Sequence, residues 1–441
     1  MTRFLGLFLP LAALSLFTAA GRPAQNAAAA DTSKEARIAY LKKNAIPVRS
    51  IDIADGNLSD LEPLRKAIGD RRIVMLGEAT HGDGATFAAK TRLIRFLHER
   101  MGFDVLAFES GLYDMRRAWW ALRAGENPVQ AVSLGIDEIW SASRQTQPLW
   151  SYIADQLKTS HPLELSGFDM QFTGNASPAY LLMDLGEYLA GAGLPPDAAG
   201  AAARVMNALE LMLKDPSFIV NGSAFKNVKP EDQAAVLIAA HDLAEALGLL
   251  HPSDEAGLFE RDFWIQFLKS GAEYLEQSWH INIASLEKTA MDWASSHRDR
   301  QMGENFLWLA KRAYPGRKII VWAATSHIIR HRDFIMNAYD PMILLGDWIH
   351  RAMGPEVYAL GFTAYQGRSG AVGIPGTTEW APAAPNSLED LLFSAGFDYA
   401  FLDFRNPAAG GAWLREPLYS RSFGAQPRLT DWTRIMDGMF F

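Results

Sequence analysis

Ile73–Gly82 reads IVMLGEATHG: four apolar residues, a glycine, a glutamate, then Ala79, Thr80, a histidine and a second glycine. The apolar run is short and lacks the polar alternation of a half-solvated strand, so it predicts a strand covered on both faces. Residues 86–102, TFAAKTRLIRFLHERMG, follow with apolar side chains at helical spacing and a glycine stop. A buried strand that hands polar residues to a loop and then a helix is the repeating unit of a parallel α/β sheet.

The pattern recurs along the chain. Residues 71–78 (RRIVMLGE), 104–110 (DVLAFES), 163–169 (LELSGFD) and 318–327 (KIIVWAATSH) read as buried strands, with 356–363 (EVYALGFT) and 398–404 (DYAFLDF) as later candidates. Residues 113–125 (YDMRRAWWALRAG) form a helix after the second strand. Between Pro178 and about Tyr314 the text turns helical, with no strand pattern and with Trp, Met and Leu stripes that read as packing. The predicted fold is therefore α/β, a mainly parallel sheet flanked by helices, with a large helical insertion. The α/β core takes residues 31–177 and 315–441, and the insertion, 178–314, belongs to the same domain and forms one wall of a cleft. The Gly/Pro-rich stretch 373–386 (GIPGTTEWAPAAPN) reads as a surface loop or lid.

Composition narrows the function. The chain has 441 residues, 49% hydrophobic and 21% charged, which suits an ordinary core. Arg3, an apolar run from Phe4 to Ala20 and an Ala-rich exit to Ala30 read as a signal peptide, so residues 1–30 are set aside and a periplasmic or secreted location is expected. Removing them leaves 40 basic against 50 acidic side chains, a net charge of −10, which argues against nucleic-acid binding. No later segment is apolar enough to stay in a membrane. Cysteine is absent, which excludes disulfides, thiolate metal sites and a cysteine nucleophile. No oligomeric state is assigned.

The chemistry gathers where strands end. The first four deliver Glu78 and His81, Glu109, Asp169 and Gln171, and Ser326 and His327. Ligands of parallel sheets bind beyond the carboxyl ends of the strands, so neighbouring strands would place these residues in one pocket. A histidine that titrates near neutrality can take a proton from water and return it to a leaving group, and a carboxylate can orient its ring. Glu78 and Glu109, if crowded, would raise each other's pKa. Gly77 and Gly82 would allow close approach of substrate. In HRDRQMGENFLWLAKR (297–312), Arg298, Asp299, Glu304 and Asn305 precede an amphipathic helix, and Arg298 is a candidate to hold a polar substrate group. The chain has no G-x-S-x-G elbow. Ser223–Lys226 matches S-x-x-K without a K-T-G partner, and Asn221–Ser223 matches a glycosylation acceptor; both are expected by chance. A divalent metal held by His81, Glu78, Glu109 and His327 is the competing reading, with His327 and His331 at helical i, i+4 spacing; HIIRH lacks the glutamate of H-E-x-x-H.

GEATHG, FESG, GFDMQ, RDRQMGEN and a strand ending in TSH, in this order across residues 45–405, resemble the erythromycin esterase family. The resemblance implies an α/β core with a helical insertion that hydrolyses a small-molecule ester with an activated water and no covalent serine intermediate. Founding members open the macrolide lactone ring, so a response to antibiotic is implied. The family's proposed general base falls on His81, its partner carboxylates on Glu78 and Glu109, and the final histidine of its second motif on His327. Substrate contacts are expected from Asp169, Gln171, Arg298 and Ser326. No cofactor is expected beyond the possible divalent metal. Macrolide-active members carry W-A-H-N-x-H at the second motif; WAATSH places Ala324 at the first of those histidines. A metal-dependent hydrolase and a non-catalytic binding protein of the same fold are the alternatives.

Overall fold

The computed structural model describes residues 33–214, 228–280, 288–331, 334 and 343–441, and among these it has twelve strands. The expected signal peptide and the matches at 221–226 lie outside the described residues. Eight strands form the central sheet: β1 (Ile46–Pro47), β2 (Ile73–Leu76), β3 (Val105–Gly111), β4 (Glu164–Asp169), β5 (Ile319–Trp322), β6 (Val357–Phe362), β9 (Ala400–Asp403) and β12 (Gly438–Phe440). Their order is β1-β9-β12-β6-β2-β5-β3-β4, and β9 alone runs antiparallel to its neighbours. All six expected strands are present. The additions, β1 and β12, have two and three residues, too few for a period to be read. The stretch expected as a loop or lid contributes β8 (Thr378–Trp380), paired with β7 (Gly367–Ser369), and β10 (Leu418–Ser420) pairs with β11 (Arg428–Thr430).

Both sheet faces are covered, which explains the unbroken apolar runs. Ile73, Met75, Val105, Ala107, Ile319 and Val321 face one layer, with Leu243, Phe263, Trp264 and Phe306. Val74, Leu76, Leu106, Phe108, Ile320 and Trp322 face the other, with Phe87, Ile94 and Leu97 of the helix Gly84–Met101. Successive strand residues thus alternate between two apolar layers. Each fully buried side chain of this size contributes about 1.5–3 kcal/mol. Asp83 caps the helix Gly84–Met101 by accepting from the Thr86 amide, and Gly102, at φ 72°, ends it in the left-handed conformation.

Between β4 and β5 lie the helices Ala176–Gly191, Ala198–Lys214, Pro230–Gly248, Glu255–His280 and Lys288–Trp308. They share one hydrophobic cluster with a sheet face. Arg298, Asp299, Glu304 and Asn305, expected before a helix, are instead inside Lys288–Trp308. The reading failed because charged and polar residues occupy inward positions, where they meet buried partners; Asp299 is 1% and Asn305 0% exposed. Asn305 donates to the Phe168 carbonyl at 3.0 Å and accepts from Gln266 and Gln301, which ties this helix to β4.

Candidate active site

The chain passes β2, β3 and β4 before β5 enters between β2 and β3, so β2, β5, β3 and β4 are consecutive in the sheet. Register aligns Leu76 and Phe108 with Trp322, and Phe108 with Gly167. The strands end together, and their polar residues meet. Three hydrogen bonds lock the ends: Ala323 N to Leu76 O at 3.2 Å, Thr325 N to Glu78 O at 2.9 Å, and Ala324 N to Glu109 Oε2 at 2.7 Å. Gly77 permits this closeness, and Gly82 permits close approach of the Gly370 backbone. A Cβ on Gly77 would lie 2.5 Å from Thr325 Oγ1, and one on Gly82 would lie 2.8 Å from the Gly370 backbone.

One half of the site is built on Glu78, which is 1% exposed. Its Oε1 meets His81 Nδ1 at 2.8 Å and accepts from Trp140 Nε1 at 2.9 Å; its Oε2 accepts from Lys90 Nζ at 2.8 Å. Burial works against the charge of Glu78, but Lys90 and His81 outweigh it and hold the carboxyl below its ordinary value. With Glu78 ionised, the shared proton belongs on His81 Nδ1, which makes Nε2 the basic nitrogen of the neutral ring. The His81 ring stands edge-on to Trp140, with centroids 5.0 Å apart, and its side chain is 25% exposed. Burial pulls the His81 pKa down. The Glu78 hydrogen bond and the charges of Glu78 and Glu109 outweigh that, so it lies above the usual histidine value, although His327 opposes them.

The other half is built on His327. Its Nδ1 is 2.8 Å from Asp299 Oδ1 and its Nε2 is 3.1 Å from Glu109 Oε1. Burial is overcome by these two carboxylates, and the imidazole is pushed up to about 10, so it is a cation at neutral pH. Glu109 also accepts from Arg298 Nη2 at 3.1 Å. Burial opposes its charge, but His327, Arg298 and His81 hold it well below the carboxylate range. Arg298 reaches Asp169 through Nε at 3.2 Å and through Nη2, while its Nη1 has no hydrogen-bond partner among the described residues. Contrary to the expectation from sequence, Glu78 and Glu109 therefore do not raise each other's pKa. Each has its own cations.

The sheet brings Glu78, His81, Glu109, Asp169, Arg298 and His327 together. The Gln171 amide N–H donates to Asp169 Oδ1 at 3.2 Å, and Ser326 is exposed. The helix after β5 covers Thr325–Ile328, and His331 sits beyond it with φ 57°, so His327 and His331 do not share a helix face. Among the described residues, the group with three ligand atoms within 4.8 Å is Glu273, Glu276 and His297, not the four residues of the competing metal reading. The chemistry agrees: Glu78 Oε2 faces an ammonium and His327 is protonated between acids, which is a poor donor set for a divalent ion. Arg300 pairs with Glu273 and competes with a cation there.

Lys90, Trp140 and, as a partner of His327, Asp299 are the residues that sequence reasoning passed over. Lys90 had a signal: it lies three residues after Phe87 and four before Ile94, on the apolar face of its helix. Trp140, in the short helix Glu138–Ser141, carried none.

Similarity to known proteins bears on this arrangement. The model of the erythromycin esterase family matches residues 98–438, which include Glu109, Asp169, Arg298 and His327. The chain is 26% identical over 395 residues to "Putative hydrolase YbfO" of Bacillus subtilis (strain 168), spanning 87% of this chain and 85% of that protein. It is 23% identical over 391 residues to "Erythromycin esterase type II" of Escherichia coli, spanning 83% and 88% respectively. A solved structure of the erythromycin esterase EreC, a histidine-to-asparagine variant in its open conformation, superposes with a TM-score of 0.63. It is 17% identical, over 90% of this chain and 96% of that one.

Proposed function

The chain belongs to the erythromycin esterase family, and from that premise we propose that it is a hydrolase that cleaves an ester or lactone of a small organic molecule with a water activated by His81. The observation that carries this reading is the 2.8 Å contact of His81 Nδ1 with the ionised Glu78. It orients the ring and makes Nε2 the base.

The steps balance without a covalent intermediate. His81 Nε2 takes a proton as the water oxygen bonds to the carbonyl carbon, and the carbonyl oxygen becomes an oxyanion. The oxyanion collapses, the C–O bond to the alcohol breaks, and His81 returns the proton to the departing oxygen. The products are a carboxylic acid, which ionises, and an alcohol. The cationic His327 and the Arg298 guanidinium supply the positive potential for the oxyanion. With both ring nitrogens of His327 already facing carboxylates, Arg298 Nη1 is the better placed donor. The signal-like composition of residues 1–30 supports reading the enzyme as exported. A macrolide is the first lactone to assay, and inactivation of such an antibiotic would be the biological role.

The test is hydrolysis of a macrolide and an ester panel by the wild type and His81→Ala, with and without a chelator. Turnover by the wild type alone, insensitive to chelator, is expected. Equal turnover by both proteins would remove His81 from its role, and chelator-dependent loss would favour a metal-dependent reaction.

A further inference from the structure

Lys90 is a lysine with 0% exposure in the interior of the helix Gly84–Met101. Its Nζ lies 2.8 Å from Glu78 Oε2, 4.0 Å from the centroid of the Trp322 ring and 3.5 Å from the Ala323 carbonyl. A buried ammonium is costly unless paired. Here it is spent on the same carboxylate that holds His81. We propose that Lys90 is a positioning residue for hydrolysis: by sharing the charge of Glu78, it lets that carboxylate orient His81 without holding the imidazole permanently protonated. This rests on His81 acting as the base.

The protein contains its own control. His327 faces two carboxylates, Asp299 and Glu109, and is held as a cation. His81 hydrogen-bonds Glu78, a carboxylate already matched by a cation. Without the ammonium, a buried Glu78 would have His81 as its nearest positive charge and would draw a proton onto it. The other charged groups facing His81 are Glu109 from β3, His327 from the turn after β5 and Asp137 ahead of the short helix Glu138–Ser141. Those facing Lys90 are Glu78, Glu109 and Asp83. Of these, Lys90 is the cation in contact with Glu78 other than His81 itself. Burial also brings Lys90 down to about 8, so its charge is retained at neutral pH.

The experiment titrates His81 by nitrogen-15 NMR, with its resonance assigned by loss in His81→Gln, in the full chain and in Lys90→Met, Lys90→Gln and Lys90→Arg. The expected result is a His81 midpoint raised by about one pH unit or more in the two neutral variants, with the wild-type midpoint kept in Lys90→Arg. The acid limb of kcat/KM should move by the same amount. Lys90→Gln retains a donor for Glu78 and carries the measurement if Lys90→Met does not fold. An unchanged midpoint in a folded neutral variant, or an equal shift in Lys90→Arg, overturns the proposal. A shifted NMR midpoint with an unmoved kinetic limb supports the link between Lys90 and His81 and counts instead against His81 as the base.

Discussion

His81 follows β2 and His327 follows β5, and these two strands are hydrogen-bonded neighbours. Both rings sit at one sheet edge and both contact a buried glutamate through a ring nitrogen. They differ in what else surrounds that glutamate. Glu78 is shared between His81, Lys90 and an indole N–H, so His81 receives part of a negative charge. His327 has carboxylates at both nitrogens and is a fixed cation. The lesson is that a histidine's role follows from the charge balance of its partners. One ring shares its carboxylate with an ammonium, and the other, set between two carboxylates, is held as a cation.

The largest expected effect falls on turnover. His81→Asn should lower kcat/KM by roughly 10²- to 10⁴-fold, the usual range for a general base, with little change in urea midpoint. An equal loss in stability would erase the contrast. His327→Gln should lower turnover too, but unlike His81→Asn it should also cost stability. It removes the imidazolium that Asp299 contacts and leaves Glu109 with Arg298 and His81, and breaking such a buried pair costs about 3–5 kcal/mol, to be read by urea unfolding.

The pH dependence sharpens the same contrast. The folded value of His327 is raised, to about 10, so its contribution to stability is fully present below the ordinary histidine value of 6.5 and is lost as pH rises through about 10. Glu109 is depressed, so its contribution is present above its ordinary value of 4.5 and is lost as pH falls through the depressed one. Urea midpoints should thus decline between about pH 6.5 and 8 in the wild type and less steeply in His327→Gln, because Lys90, lowered to about 8, acts in the opposite sense above that. The difference in slope between the wild type and His327→Gln should not exceed about 1.4 kcal/mol for each pH unit, the value for one proton. For His81, whose value is also raised, the acid limb of kcat/KM should lie above 6.5. A smaller effect is expected at Trp140→Phe, which removes the N–H given to Glu78 and should lower stability by about 1.5–3 kcal/mol. Ser326→Ala, at an exposed side chain, should stay within about 0.5 kcal/mol.

Much of the site was legible because strand ends carry it. IVML before GEATHG and IIVW before AATSH mark where buried strands stop, and polar residues placed there reach one edge of a parallel sheet. Arg298 was legible only as a candidate, because HRDRQ reads as a solvated helix start until its buried partners are known. Lys90 was hidden for the converse reason. A lysine among apolar residues of a helix suggests a stem lying along the surface, and only the carboxylate beneath it justifies burial.

The sequence by itself determined the units: apolar runs covered on both faces, the helices between them, and the acids and histidines at their ends. Those are local properties of period and composition. The tertiary structure alone decided that β5 enters between β2 and β3, which carries Ala324 and His327 to Glu109 across more than two hundred residues of chain. It also decided which carboxylate received which cation, and so the direction of every pKa in the site. Coulomb interactions depend on distance through space and on burial, and neither is written in the order of residues along the chain.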